Sequence, residues 1–296
     1  MKRSFHRIDT HTHCWEKSFS PQDALRKRYI PDGPTPFSHV KDKWQQHQIQ
    51  FGVLVQVSFM GTDNSYLVER LTENRNIRGI VVVTNDEGEF DPIKFNRQRL
   101  IEYHKAGVRG IRLNLISKNT AQMDRLNQLM HGKTGSKEFI ELWRFIREFN
   151  WHIEAQQCGE HWVDLIETLI TTDCRIVVDH FARPDKGKME EDPGWLAVLK
   201  AANSGRVWLK LSAAYRLGVT DRVIENYIQQ AVKYFGVRRL LWGSDYPFTG
   251  FSQSQRQNFD YGLFLSKIEK WVPSESDQKA IFQDTPAHLY EFSLTS

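Results

Sequence analysis

Eight short apolar runs alternate with amphipathic stretches along 296 residues, and that alternation restricts the fold more than any other feature of the chain. The runs fall at 8–15, 53–58, 77–83, 108–115, 151–157, 175–181, 207–213 and 239–246. Several are rich in Val, Ile and Leu with little polar interruption, the mark of strands buried on both faces. Helices are predicted between them at 40–50, 64–74, 92–106, 137–149, 160–171, 194–202 and 221–235, with two more at 259–271 and 275–292. Strict alternation at this count favours a closed α/β architecture, the (β/α)8 TIM barrel, over an open doubly wound sheet. The open sheet would carry a glycine-rich dinucleotide turn after its first strand, and no G-x-G-x-x-G is present. No composition break marks a linker, so residues 1–296 read as one barrel domain.

Composition removes several function classes. Hydrophobic residues make up 40% and charged residues 26%, which suits a water-soluble protein with a large core. No run approaches the ~20 apolar residues of a membrane span. The first residues, Met-Lys-Arg-Ser-Phe-His-Arg, lead into no apolar segment, so no export signal is read and a cytoplasmic location is expected. Cys14, Cys158 and Cys174 lack metal-finger spacing and read as incidental thiols. A net charge of +4 is spread along the chain, with no basic stripe for nucleic acid. A small-molecule partner is expected, bound by a monomer or small homo-oligomer. The polar, proline-bearing stretch at 16–36 is long enough to act as a lid over a site or to be a surface excursion.

A barrel converts sequence position into location, because chemistry gathers at the C-terminal ends of the strands. In the first run, Ile-Asp-Thr-His-Thr-His, period-two alternation puts Asp9, His11 and His13 on one face and Ile8, Thr10 and Thr12 on the other. The later ends supply Gln56 and Ser58, Arg112 and Asn114, Glu154 and Gln156, then His180 with Arg183 beyond it. Lys210 and Ser212 come next, with Arg216 in the adjoining loop, and Asp245 ends the eighth strand. Gln56, Asn114 and Lys210 suit buried, hydrogen-bonded barrel polars. Glu154 lies mid-strand and reads as an ion-pair partner of Lys210. Arg109 is out of phase with Arg112 and should face the helices, and His152 starts its strand, away from the chemistry.

Three motifs carry a resemblance: Asp9-Thr-His-Thr-His13, Asp179-His-Phe-Ala-Arg-Pro184 and Trp242-Gly-Ser-Asp-Tyr-Pro247. Together they resemble the signatures of the amidohydrolase superfamily, in its amidohydrolase-2 group of lactonases and decarboxylases. Thr285-Pro-Ala-His-Leu-Tyr-Glu-Phe292 resembles the closing helix of that group, where asparagine is usual at the position of Thr285. Metal-dependent members ligate through the paired histidines, a histidine on strand five and the strand-eight aspartate. This chain has Gln156 or Gln157 at the strand-five position, and an amide is a poor zinc ligand. The departure is shared with the metal-independent branch acting on 2-pyrone-4,6-dicarboxylate, which it also resembles in Ser58, Arg112, Arg183 and Arg216. No cofactor is therefore expected. A single divalent zinc or manganese held by His11, His13, His180 and Asp245 is the alternative.

The residues support a chemistry of their own. Opening a lactone needs a base for water, help at the carbonyl and grips on the substrate. Asp245 is the candidate base, and His11, His13 and His180 can donate to the developing oxyanion. Arg112, Arg183 and Arg216, with Ser58, suit a carboxylate-bearing substrate, because a guanidinium binds carboxylates in charge-assisted pairs. The expected activity is hydrolysis of a small acidic lactone in aromatic or sugar-acid catabolism. A metal-dependent decarboxylase or amidohydrolase, a sugar-acid lactone isomerase and a non-catalytic anion binder are the other readings.

Overall fold

The computed structural model describes residues 5–17, 29–85 and 87–294. Eight parallel strands pair in sequence order: β1 (Ile8–Thr12), β2 (Phe51–Val55), β3 (Ile77–Val81), β4 (Val108–Asn114), β5 (His152–Gln156), β6 (Arg175–Val178), β7 (Val207–Ser212) and β8 (Leu240–Gly243). The ring closes between β8 and β1. There Thr10 Oγ1 donates to the Trp242 carbonyl at 2.6 Å, and the Asp245 amide donates to the His11 carbonyl at 2.8 Å. This is the expected (β/α)8 barrel. Around it lie α1 (Phe37–Gln46), α2 (Ser65–Glu73), α3 (Arg97–Ala106), α4 (Thr120–Met130), α5 (Lys137–Glu148), α6 (Trp162–Ile170), α7 (Pro193–Ala201) and α8 (Asp221–Phe235). Then come α9 (Gln253–Arg256), α10 (Tyr261–Trp271), and α11 (Glu275–Lys279), which runs through a π-turn into α12 (Thr285–Tyr290). No described helix is long and apolar enough to cross a membrane.

The core has two parts. Outside the sheet, Leu54, Ile111, Leu113, Ile153 and Leu209 pack under the helices with Trp143, Trp162 and Trp195. Each fully buried Leu or Ile there contributes roughly 1.5–3 kcal/mol. Inside the barrel, Ile8, Val53, Val55, Ile80, Val177 and Leu241 cluster with Leu289 and Tyr290, so α12 plugs the lower end.

The helix α4 has no counterpart in the sequence pattern. Its apolar face is only Met123, Leu126 and Met130, all buried, and an Asn119–Gln122 capping box starts it. Strand two ends earlier than predicted and its phase is inverted. Val53 and Val55 face the barrel and Leu54 the helices, so alternation does not carry Ser58 to the mouth. Instead a 3-10 turn, Ser58–Met60, leaves it exposed. The stretch at 16–36, open to a lid or a surface excursion, falls partly on 18–28, outside the described residues. Its distal part, Tyr29, donates to the Phe251 carbonyl at 3.2 Å and packs against Phe59, linking the loops after β8 and β2.

Candidate active site

The site is built at the barrel seam. Asp9 does not share a face with His11 and His13, contrary to strict alternation. The β1–β2 register shifts between Asp9 and Thr12, and a bulge re-aims every side chain beyond it. Asp9 turns to the helical layer, accepting from Tyr261 at 2.6 Å, Trp44 at 3.4 Å and the Ser244 amide at 2.9 Å. It therefore pins the segment that carries Asp245. Ile8, assigned by alternation to the face opposite the histidines, packs inside the barrel below them. Gly243 is required by close approach: a Cβ there would lie 2.6 Å from the His11 Cβ. The space before Asp245 is thus filled by His11 and is not open to substrate.

Strand six also ends early, at Val178. His180, Phe181, Ala182 and Arg183 come after it with φ of 55°, 55°, 58° and 47°, a left-handed turn without glycine. Each such residue costs roughly 1–2 kcal/mol, so the surroundings must hold the turn. Trp162 Nε1 donates to the Ala182 carbonyl at 2.7 Å, and the Arg183 amide to the His180 carbonyl at 3.0 Å. The turn swings His180 toward β7, where Nδ1 meets Ser212 Oγ at 2.8 Å. Asp245 is left-handed too, at φ 61°.

Three imidazole nitrogens converge on one carboxylate oxygen. Asp245 Oδ1 lies 3.3 Å from His13 Nε2, 3.7 Å from His11 Nε2 and 3.9 Å from His180 Nε2. The other oxygen, Oδ2, accepts from Tyr215 and from Arg216 Nε at 3.0 Å. All four residues of the cluster are buried, yet His11 Nε2 and Asp245 Oδ1 have no hydrogen-bond partner among the described residues. Burial pushes the Asp245 carboxyl up, but Arg216, His180 and the neighbouring His13 and His11 outweigh it and hold the group well below the usual carboxylate range. Burial and neighbouring Lys210 lower His11 to about 4, against the pull of Asp179. His180 is lowered well below its ordinary value, mainly by burial.

Below this level, Lys210 Nζ lies 2.6 Å from Glu154 Oε2, 3.3 Å from Asp179 Oδ1 and 3.1 Å from His11 Nδ1. The expected Glu154–Lys210 pair is present, and His152 and Tyr290 fill Glu154 Oε1 at 3.1 and 2.7 Å. Arg112 donates to the Gln56 carbonyl and Gln156 Oε1, both at 2.7 Å. Gln156 thus faces the barrel, while Gln157 turns out to the Leu115 carbonyl. Arg109 pairs with Glu291 at 2.7 Å, on the structural side as expected. Arg183 is half-buried just beyond His180, at the end of the left-handed turn. Two residues of the site are absent from the set expected on sequence grounds. Asp179 was legible, since alternation from Val177 turns it inward. Tyr215 carried no signal, because it sits in a 3-10 turn, Ala214–Arg216, with no period to guide it.

His11, His13 and Asp245 place ligand atoms within 4.8 Å of one another, as do His11, Asp179 and His180. This is a candidate divalent-metal site by residue type, and the two unpartnered atoms are what a cation would satisfy. The donor states argue otherwise. His13 Nδ1 meets the Val55 carbonyl at 2.7 Å and must donate to it, leaving Nε2 able to act as a ligand. His11 Nδ1 lies between Lys210 Nζ at 3.1 Å, which can only donate, and Asp179 Oδ1 at 3.4 Å, which can only accept. Gln156 is committed to Arg112, and Arg216 occupies the second oxygen of Asp245. Those commitments count against a resident divalent cation here, while the residue types count for one.

The barrel and its His-x-His, Asp-His and Gly-Ser-Asp strand ends define an amidohydrolase, and the chain belongs to that family, whose model matches residues 8–292. It is 29% identical over 254 residues to the 2-pyrone-4,6-dicarboxylate hydrolase of Comamonas testosteroni, covering 80% of this chain and 75% of the relative. It is 24% identical over 291 residues to the 4-sulfomuconolactone hydrolase of Rhizobium radiobacter, covering 95% and 89%. A crystal structure from Acinetobacter baumannii, assigned as a probable 2-pyrone-4,6-dicarboxylic acid hydrolase and holding citric acid, superposes with a TM-score of 0.80 at 27% identity. That match covers 97% of this chain and 100% of the other.

Proposed function

We propose that this chain is a lactone hydrolase, opening a small carboxylate-bearing lactone without a metal ion, with Asp245 as general base. The observation that carries the reading is Asp245 itself. One oxygen is anchored by Tyr215 and Arg216, and the other is buried among three imidazoles without a hydrogen-bond partner among the described residues. That is the state of a base awaiting water. The relatives add support, since two that span most of the chain are named as hydrolases of acidic lactones.

In the proposed reaction, water attacks the lactone carbonyl carbon as its proton passes to Asp245 Oδ1. His11 Nε2–H and His180 donate to the oxygen as it gains charge, while His13 packs beside the carboxylate with its Nδ1 bound to the Val55 carbonyl. Collapse breaks the bond to the ring oxygen, which takes the proton back from Asp245, leaving a free hydroxyl and a carboxylic acid that loses the remaining water proton to solvent. Arg112 and Arg183 grip the substrate carboxylates, with Ser58, exposed in the turn after β2, as a further donor. Arg216 holds Asp245 and presents its remaining edge to the same anion. The depressed Asp245 keeps its base form through the neutral range and well into acid.

A second reading, metal-assisted decarboxylation or hydrolysis, draws on the convergence of His11, His13, His180 and Asp245 alone. A lactone panel assayed with and without chelator separates the two. Turnover of acidic lactones that survives chelation is expected. Activity that vanishes with chelator and returns with zinc or manganese would overturn the metal-free mechanism.

A further inference from the structure

We propose that Lys210 is a positioning residue that fixes the tautomer of His11, keeping its hydrogen on Nε2 and thereby making His11 a hydrogen-bond donor and a poor metal ligand. The inference deepens the lactonase reading, on which the use of that donor rests. Lys210 is fully buried in the barrel interior, hydrogen-bonded to Glu154 Oε2 and His11 Nδ1 and ion-paired with Asp179 Oδ1 at 3.3 Å. Two carboxylates keep it an ammonium, and an ammonium has no lone pair to accept with. Nδ1 must therefore accept, and a neutral ring accepting at Nδ1 carries its hydrogen on Nε2.

One neighbour favours the opposite state. Asp179 Oδ1 lies 3.4 Å from the same Nδ1 and would require a hydrogen there, the arrangement that frees Nε2 for a metal. Lys210 is closer, at 3.1 Å, and neither Asp179 oxygen makes a hydrogen bond among the described residues. On the other side of the ring, Nε2 is buried, unpartnered among the described residues and 3.7 Å from Asp245 Oδ1, too far to be spent on it. Its N–H is left for an incoming oxygen. Lys210 is in turn held through Glu154 by His152 and Tyr290, so the tautomer is set from the barrel floor.

The test reads the ring directly, without substrate. In protein labelled with 15N-histidine, proton–nitrogen correlation spectra distinguish the tautomers, and His11 is assigned by its loss in His11→Asn. The expected spectrum shows a protonated Nε2 and a bare Nδ1, whereas a protonated Nδ1 in the wild-type protein would overturn the proposal. A Lys210→Met/Glu154→Gln double variant, in which a cation and an anion leave together, should shift the hydrogen to Nδ1. It should also raise affinity for zinc alone, by calorimetry, on the order of tenfold or more. An unchanged tautomer and unchanged zinc affinity in the folded double variant would also overturn it. If that variant does not fold, the wild-type spectrum still decides. Absent lactone turnover beside an intact Nε2–H would sink the lactonase reading while leaving the role of Lys210 standing.

Discussion

Two buried polar clusters share the barrel interior, one around Glu154 and Lys210, the other around Asp245, and they are finished to different degrees. In the lower cluster both Glu154 oxygens are occupied, by Lys210, His152 and Tyr290. In the upper one an Asp245 oxygen and His11 Nε2 are buried with nothing among the described residues bonded to them, on a mouth whose backbone is left-handed at His180 and Asp245. A carboxylate with both oxygens hydrogen-bonded, as Glu154 is, repays its desolvation and fixes geometry, whereas one with a bare oxygen, as Asp245 is, keeps an acceptor in reserve for a reacting molecule. The comparison separates the residues that support chemistry from those that perform it. Loss of Glu154 should appear mainly as stability, and loss of Asp245 as rate.

The largest expected effect is on rate. Asp245→Asn keeps shape and fold and removes the proton acceptor, so hydrolysis should fall by about 10²–10⁴ with acidic-lactone affinity kept. A folded, substrate-binding variant with near-normal turnover would erase the distinction between the clusters. The converse change lies below. Glu154→Gln leaves Lys210 with a weaker partner set and should cost about 3–5 kcal/mol, read as a shift in urea midpoint. A loss confined to kcat, with stability untouched, would move Glu154 into the chemical half.

Acid should sharpen the contrast next. His11 is lowered from its ordinary value of about 6.5 to about 4. Between those values the unfolded chain takes up a proton that the folded one refuses, so stability is full above about 6.5 and falls as pH drops toward 4. The loss should approach about 3 kcal/mol over that window. Depressed Asp245 and Asp179 act in the same direction, but only below the usual carboxylate range. Urea unfolding at neutral pH and near pH 4.5 checks this, and His11→Asn should reduce the dependence, with His180 contributing the remainder. A flat wild-type profile would mean the ring is not held neutral. The smallest effect belongs to the arginines proposed to grip the substrate. Arg112→Met or Arg183→Met should each weaken acidic lactones by about 1.5–3 kcal/mol and spare neutral ones, by titration calorimetry. Equal losses on both classes would assign these arginines to the fold.

The barrel was legible from sequence because alternation of buried runs and helices is a one-dimensional property. So was the set of residue types at the strand ends, since a barrel gathers those ends whatever joins them. The inward direction of Arg112, Glu154 and Lys210 came from period-two phase within regular strands. That logic stopped where strands stop being regular. The bulge after Asp9 and the left-handed turn at His180 each change which way a side chain points without changing its type. Both are stabilised by contacts far off in sequence: Ser244 and Tyr261 on Asp9, Trp162 on Ala182. Tyr215 reaches Asp245 from a loop with no period at all. The tautomer of His11 depends on the ammonium of a residue 199 positions away. Sequence determined which groups gather at the mouth. Only the packed barrel decided which of them remain unsatisfied, because hydrogen-bond saturation depends on distances between strands that no single strand contains.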